Sequence, residues 1–331
     1  MKANSFFTSA TALLVLAMSF TALISCEGGY EHEEEINKIP MKVTVERFDR
    51  EFAKATPADL PQLKNKYPLL FPRQTPDSIW IKKMNDSLQN ELELEVKEQF
   101  PDFSGQKEKL KNLFQHFEFY LTEFEPPSKI ITLISEVDYR NQIIATDSLL
   151  LISLDTYLGP DHEFYVGIQN FLRQNFTPKQ IAPDVAEAYG EKLISKPSSR
   201  TLLAQMLYYG KLLYLKDKVL PKLSDAEKIG YKNEEMNWAE NNEYQIWQHL
   251  VDRELLFSTR PDLQQDFLKP APFTKFGLKL DNDSPPRLGQ YIGWKILRAF
   301  ADKNPEVSLA ETLTLPADKI FKQSNYKPDK P

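Results

Sequence analysis

The sequence predicts an α+β fold, predominantly helical with a small sheet in the N-terminal half, and three observations lead there. Strand-forming Ile and Leu residues crowd into one stretch, residues 129–158. From Asp161 onward the apolar residues recur at helical spacing, with prolines near the segment edges. The 331 residues are 41% hydrophobic and 27% charged, which suffices to bury a sizeable core.

Taken in order, residues 41–52 begin as an alternating strand, with Val43 and Val45 on one side and Thr44 on the other, and then lose that period. Prolines 57, 61, 68, 72 and 76 make the next stretch irregular. Asp77 follows the last of them and can cap a helix over 77–98, on which Ile79, Trp80, Met84, Leu88 and Leu92 recur at helical spacing. A second helix is expected over 106–120, striped by Leu110, Leu113, Phe114 and Phe117. Strands follow at 130–135 and 148–154, with a short one at 141–145 between them. Helices are then expected over 161–174, 178–195, 199–219, 224–229, 233–256, 261–268, 285–302 and 306–314. Residues 200–215 are apolar on most faces, which marks a central buried helix.

The N-terminus carries an address. Lys2 precedes an apolar run from Phe6 to Ile24, interrupted by Thr8, Ser9, Thr11, Ser19 and Thr21, which is the pattern of a signal peptide over 1–25. The run ends Leu23-Ile-Ser-Cys26, which resembles a bacterial lipobox, so Cys26 is the expected lipid attachment site and the bilayer the expected partner. The alternative is an ordinary signal peptide or uncleaved anchor with Cys26 an idle thiol; either still exports the chain. Residues 26–39, acidic and Gly-containing, read as a flexible tether with His32 exposed and unpartnered. One globular domain is expected over 40–331, its sheet-containing part ending near 158.

Composition narrows the function. Lys plus Arg is 41 against 47 Asp plus Glu, and the net charge of -6 gives no broad positive field for nucleic acid. Cys26 is the only cysteine, which excludes an intramolecular disulfide and Cys-rich metal sites. The four histidines, His32, His116, His162 and His249, are scattered, and neither a metal nor another cofactor is expected. HExxH, a Gly-rich phosphate loop, G-x-S-x-G and an EF-hand series are all absent from the sequence.

Three polar clusters remain. In residues 281–296 a DNDSPPR loop leads into a helix with Gly289 and Gly293 four apart, a spacing that permits close approach of a second backbone. Arg287 near that helix's first turn opposes the helix dipole and calls for a carboxylate, an anion or a loop-closing salt bridge. Asp184, Glu187 and Glu191 share one helical face, which suits a hard cation but more commonly faces solvent. Asp155, Asp161, His162 and Glu163 lie at a sheet-to-helix junction; His162 is expected to cap the helix locally and Asp155 to bind or to support structure. Tyr208, Tyr209, Tyr214, Trp238 and Trp247 are expected to pack in the core rather than line a groove, and His116 to be packed or solvent-facing.

Several blocks, in order, carry a resemblance. The lipobox, Val45-Glu-Arg-Phe-Asp-Arg-Glu-Phe, Asp138-Tyr-Arg-Asn-Gln, Leu151-Ile-Ser-Leu-Asp-Thr-Tyr-Leu-Gly, Gln205-Met-Leu-Tyr-Tyr-Gly-Lys and Pro286-Arg-Leu-Gly-Gln-Tyr-Ile-Gly-Trp resemble the gliding motility lipoprotein GldB family of Bacteroidetes. That resemblance implies an envelope lipoprotein needed for gliding, tied to type IX secretion and its protein partners, with no settled reaction. A more distant resemblance is to a family of predicted zinc-dependent proteases marked by HExxH, a Glu-Gly pair and P-x-x-x-G-x-x-x-G. It would place Ala186 and Gly190 where the histidines stand, Glu187 at the glutamate, Tyr209-Gly210 at Glu-Gly, and Pro285 to Gly293 at the last block. All three zinc ligands would then be missing, leaving a degenerate zincin-like scaffold without a Lewis acid. The expectation is a non-catalytic binding or assembly component; the alternative is an envelope hydrolase using Glu187, His162 and Arg287.

Overall fold

A computed structural model describes residues 32–278 and 281–330. The expected signal peptide, Cys26 and the first part of the expected tether lie outside the described residues. The chain forms α1 (Glu33–Ile36), β1 (Val45–Arg47), α2 (Phe48–Lys54), α3 (Leu60–Lys66), α4 (Asp77–Met84), α5 (Ser87–Gln99) and α6 (Ser104–Tyr120). The sheet is completed by β2 (Lys129–Leu133), β3 (Ile143–Ala145) and β4 (Leu149–Ser153). Helices then take over: α7 (Asn170–Arg173), α8 (Ile181–Leu193), α9 (Leu202–Val219), α10 (Asp225–Ile229), α11 (Asn233–Asn241), α12 (Glu243–Asp252), α13 (Asp262–Phe267), α14 (Leu288–Lys303), α15 (Leu309–Thr314) and α16 (Ala317–Ser324). The fold is α+β and predominantly helical, with the sheet in the N-terminal half.

The strand order is β1-β2-β4-β3, with β2 parallel to both β1 and β4 and β3 antiparallel to β4. Alternation along the strands separates two cores. Ile130, Leu150 and Ile152 point into the main core with α6, α8, α9 and α14. Ile131 points the other way, into a smaller cluster with Phe48, Phe52, Leu60, Leu63, Tyr67 and Phe71.

Helix α9 runs through the middle and is buried on nearly every side. It crosses α14 at very close range, because Gly210 and Gly293 meet there with no side chain between the backbones. A Cβ on Gly210 would lie 2.5 Å from the Gly293 carbonyl group. Gly289, one turn earlier, faces the end of α13, where a Cβ would lie 2.9 Å from the Phe267 carbonyl oxygen. The pair thus serves both a helix crossing and a loop approach.

Several expectations need correction. The helix expected over 77–98 breaks at Asn85-Asp86, because Asp86 accepts from the Gln89 N–H at 3.1 Å and caps a new helix. The helix expected over 233–256 ends at Asn241 and restarts at Glu243, with the Asn242 side chain donating to the Trp238 carbonyl at 2.8 Å. Over 161–174 only a 3-10 turn at Glu163–Tyr165 and the short α7 form, separated by Gly167 at φ +95°. Helices α2, α3 and α16 arise where no helix was expected; α3 starts beyond a Thr56–Asp59 capping box. The tether expected over 26–39 is folded from Glu33 on: Ile36 is 2% exposed, and the Gln115 amide donates to the Ile39 carbonyl at 2.8 Å. His32 is not unpartnered, since it lies 3.6 Å from the Glu35 carboxylate and rests against Phe119.

Candidate functional site

Helix α8 presents Asp184, Glu187, Ala188 and Glu191 on one face by their i,i+3 and i,i+4 spacing. That face looks into a cavity of about 300 Å³. The β2–β3 connection supplies Tyr139, Arg140 and Gln142, the region of α7 supplies Phe171, Leu172 and Asn175, and α9 supplies Lys216. Gly230, after α10, and Arg287, before α14, close it.

The floor is built from charges. Lys216, its side chain only 3% exposed, donates from Nζ to Glu187 Oε2 at 2.7 Å and to the Lys228 carbonyl at 3.2 Å. A buried ammonium requires such partners. Glu187 keeps 45% of its side chain open, because it faces the cavity. Lys216 beside it holds the Glu187 carboxyl below its ordinary range despite burial. One turn earlier Asp184 accepts from the Tyr157 hydroxyl at 2.9 Å and from the Gln180 amide at 3.2 Å. Burial pushes Asp184 up to about 7, with the neighbouring Glu187 charge adding to the rise and Lys216 opposing it.

Arg287 reaches this floor from an unusual backbone. It sits at φ +59° as the N-cap of α14, its Nη2 donates to the Ile229 carbonyl at 2.9 Å, and its guanidinium lies over the Tyr231 ring. Among the described residues no carboxylate lies within ion-pair distance of it, so the expected salt bridge is replaced by a carbonyl bond that ties α14 to the end of α10. The left-handed Gly230, φ +74°, offers its own carbonyl to the Asn175 amide at 3.0 Å from the other side.

Asp155 acts beside the cavity rather than in it. Its fully buried carboxylate accepts the backbone N–H groups of Ser135 at 3.0 Å and Val137 at 2.6 Å. Those bonds hold Glu136 and Val137 at positive φ and so aim the 139–142 segment at the cavity. Burial raises the Asp155 carboxyl, and the backbone donors work against that rise. His162 caps its turn as expected, accepting from the Phe164 N–H at 3.3 Å; its other nitrogen faces Glu95 at 3.2 Å. Asp161 is exposed beside Arg173, so it does not converge with Asp155.

Of the four residues aligned with a protease cleft, Glu187 faces the cavity. Ala186 is buried in the main core, and a Cβ on Gly190 would press on Leu212 and Leu215 of α9. Tyr209 is held by Lys269, whose Nζ donates to its hydroxyl at 3.0 Å. Within the acidic set on α8, Glu191 is exposed as expected, whereas Asp184 and Glu187 are partly buried against Tyr157 and Lys216. Among the described residues no group of three His, Cys, Asp or Glu has an arrangement that could hold a metal ion.

Sequence reasoning did not single out Lys216, Asn175, Tyr157 or Arg140. Lys216 carried a signal: a lysine within the otherwise apolar run of a central helix must find a buried partner.

The sequence pattern of the gliding motility protein GldB matches residues 30–328. The chain belongs to the GldB family. It is therefore a member of a family of gliding motility lipoproteins. The family match takes in both cores and every residue of the cavity. No curated protein and no solved structure matches the chain. The resemblance to zinc-dependent proteases gains no support from these comparisons. Among the described residues of this GldB-family chain, no helix is long and apolar enough to cross a membrane.

Proposed function

We propose that this GldB-family protein is a lipid-anchored envelope component of the gliding machinery that acts by binding and assembly, alongside the type IX secretion apparatus and its protein partners. Cys26 is its anchor, and the bilayer its first partner. The lipobox-like Leu23-Ile-Ser-Cys26 supports the anchor. The observation that carries the non-catalytic reading is the Glu187–Lys216 pair at 2.7 Å. A general base needs a proton affinity matched to its working pH, and a carboxylate held low by an adjacent ammonium is a weak one.

The second reading, an envelope hydrolase, is favoured by one feature: Asp184 and Glu187, one turn apart, hold their protons very differently, as acid and base partners do. Chromosomal replacement separates the readings. Cys26→Ala is expected to release the protein from the membrane fraction and abolish colony spreading, whereas Asp184→Asn is expected to preserve spreading. A folded, normally abundant Asp184→Asn protein that fails to support gliding would favour the hydrolase.

A further inference from the structure

The cavity carries more charge than it neutralises. Glu187 spends one carboxylate oxygen on Lys216 and turns the rest of its side chain to open space. Arg287 spends only Nη2 on carbonyl groups; its Nε and Nη1 have no hydrogen-bond partner among the described residues. At the rim, the Arg140 side chain meets only the face of Tyr139 among the described residues, 5.5 Å away. Glu191, also at the rim, has neither an ion pair nor a hydrogen bond among the described residues. Two open guanidinium groups and two open carboxylates therefore surround one small volume, beside the apolar wall of Phe171 and Leu172.

Such a site discriminates by charge pattern. A simple anion would gain the arginines but meet Glu187 and Glu191, and a simple cation would meet the arginines. A ligand with one charge of each sign satisfies both pairs, and a volume of about 300 Å³ lies at the lower end for small-molecule sites. Planar forked donors suit a carboxylate, and open carboxylates suit an ammonium.

We propose that the cavity binds a small zwitterion, a free amino acid or a dipeptide, its carboxylate on Arg287 and Arg140 and its ammonium on Glu187 and Glu191. The uncharged side chain lies against Phe171 and Leu172. The proposal rests on the non-catalytic reading above, because a bound dipeptide must persist. Asp155 contributes from behind, by fixing the loop that carries Arg140.

The test is calorimetric titration of the full-length lipoprotein in detergent with L-leucine and L-leucyl-L-leucine, each also in N-acetylated and C-amidated form. Saturable binding with Kd of about 1 mM or tighter is expected for at least one free zwitterion, weakened about tenfold or more by either blocking group. Whether leucine or dileucine binds more tightly identifies the source. Glu191→Gln should reduce the penalty for N-acetylation, and Arg140→Gln the penalty for amidation; both residues are exposed, so both variants should fold. Absence of binding, binding indifferent to both blocking groups, or unchanged discrimination in both variants would overturn the proposal. Cleavage of dileucine during the titration would instead overturn the non-catalytic reading and leave the ligand class standing. Absence of binding would leave the membrane-anchored role intact, since that is read from Cys26→Ala.

Discussion

Gly293 and the Met206 carbonyl touch so closely that a Cβ on the glycine would lie 2.0 Å from the oxygen. The obstacle is backbone, which cannot rotate away as a side chain can. Gly293→Ala should therefore force α9 and α14 apart and cost about 3 kcal/mol or more, beyond the usual overpacking range. Gly190→Ala supplies the contrast: its neighbours are the ends of Leu212 and Leu215, which can shift, so a smaller loss is expected. Urea unfolding of the two variants measures the difference, and equal losses would refute the crossing as a backbone constraint.

Asp217 holds a second junction of the same helices. Its carboxylate accepts from Arg298 Nε at 2.8 Å, Arg298 Nη2 at 2.7 Å, the Trp294 indole N–H at 2.7 Å and Lys228 Nζ at 3.0 Å. Removing it leaves the buried Lys228 ammonium only Asp225, 3.8 Å away, and strands an indole donor, so Asp217→Ala should cost about 3 kcal/mol. Arg298 stacks 3.9 Å over the Trp294 ring and forks between Asp217 and Asp225. Arg298→Lys keeps the charge and loses the fork and the stack, so it too should destabilise, by less. Thermal denaturation ranks them; a neutral Asp217→Ala would show the network to be ornamental.

These junctions show what the sequence made legible. Gly289 and Gly293 announced close approach because glycine four apart in a helix is tolerated only for a reason, and the two reasons are Phe267 and Met206. The strands around Ile130 and Leu150 were legible because β-formers are dense only there, and the apolar run of α9 announced its burial. Residues 161–174 were not, since their apolar spacing is helical while Gly167 and the His162 cap favour turns. The cavity was half legible: spacing alone puts Asp184, Glu187 and Glu191 on one face, but whether that face meets water or Lys216 depends on contacts between distant segments. Arg287 was read as calling for a carboxylate, an anion or a salt bridge, and the Ile229 carbonyl that it meets instead could not be read from the chain.

Asp184 should give stability an inverse dependence on pH. Its folded value of about 7 lies above the ordinary 3.8, so between those values the native state binds more protons than the unfolded one. This group's contribution is fully present below pH 3.8 and is lost as pH rises through 7. Glu187, held low by Lys216, has the opposite sign and loses its contribution as pH falls. Comparing wild type with Asp184→Asn isolates the first. The variant's relative stability should rise from pH 4 to pH 7 by about 1–2 kcal/mol, the full shift being reduced by water in the cavity, and then level off. A difference independent of pH would show that Asp184 titrates normally.

Glu33 ties α1 to the body of the domain. Its carboxylate joins His116 Nε2 at 3.0 Å on α6 and Lys222 Nζ at 2.9 Å after α9. Burial alone would raise its carboxyl, and the bonds to Lys222 and His116 outweigh that and hold it low. The His116 Nδ1 faces the Asn112 carbonyl at 2.8 Å, so both ring nitrogens have partners in this arrangement. Releasing α1 would leave the buried His116 ring unpaired on one side, at a cost of about 1–3 kcal/mol. Glu33→Ala should therefore abolish hydrogen-exchange protection of the Ile36 and Asn37 amides, which now bond to the carbonyls of His32 and Glu33. Protection in α9 and α14 should remain. If Ile36 burial alone secures the segment, the same variant will leave those amides protected, and the latch will have been assigned to the wrong contact.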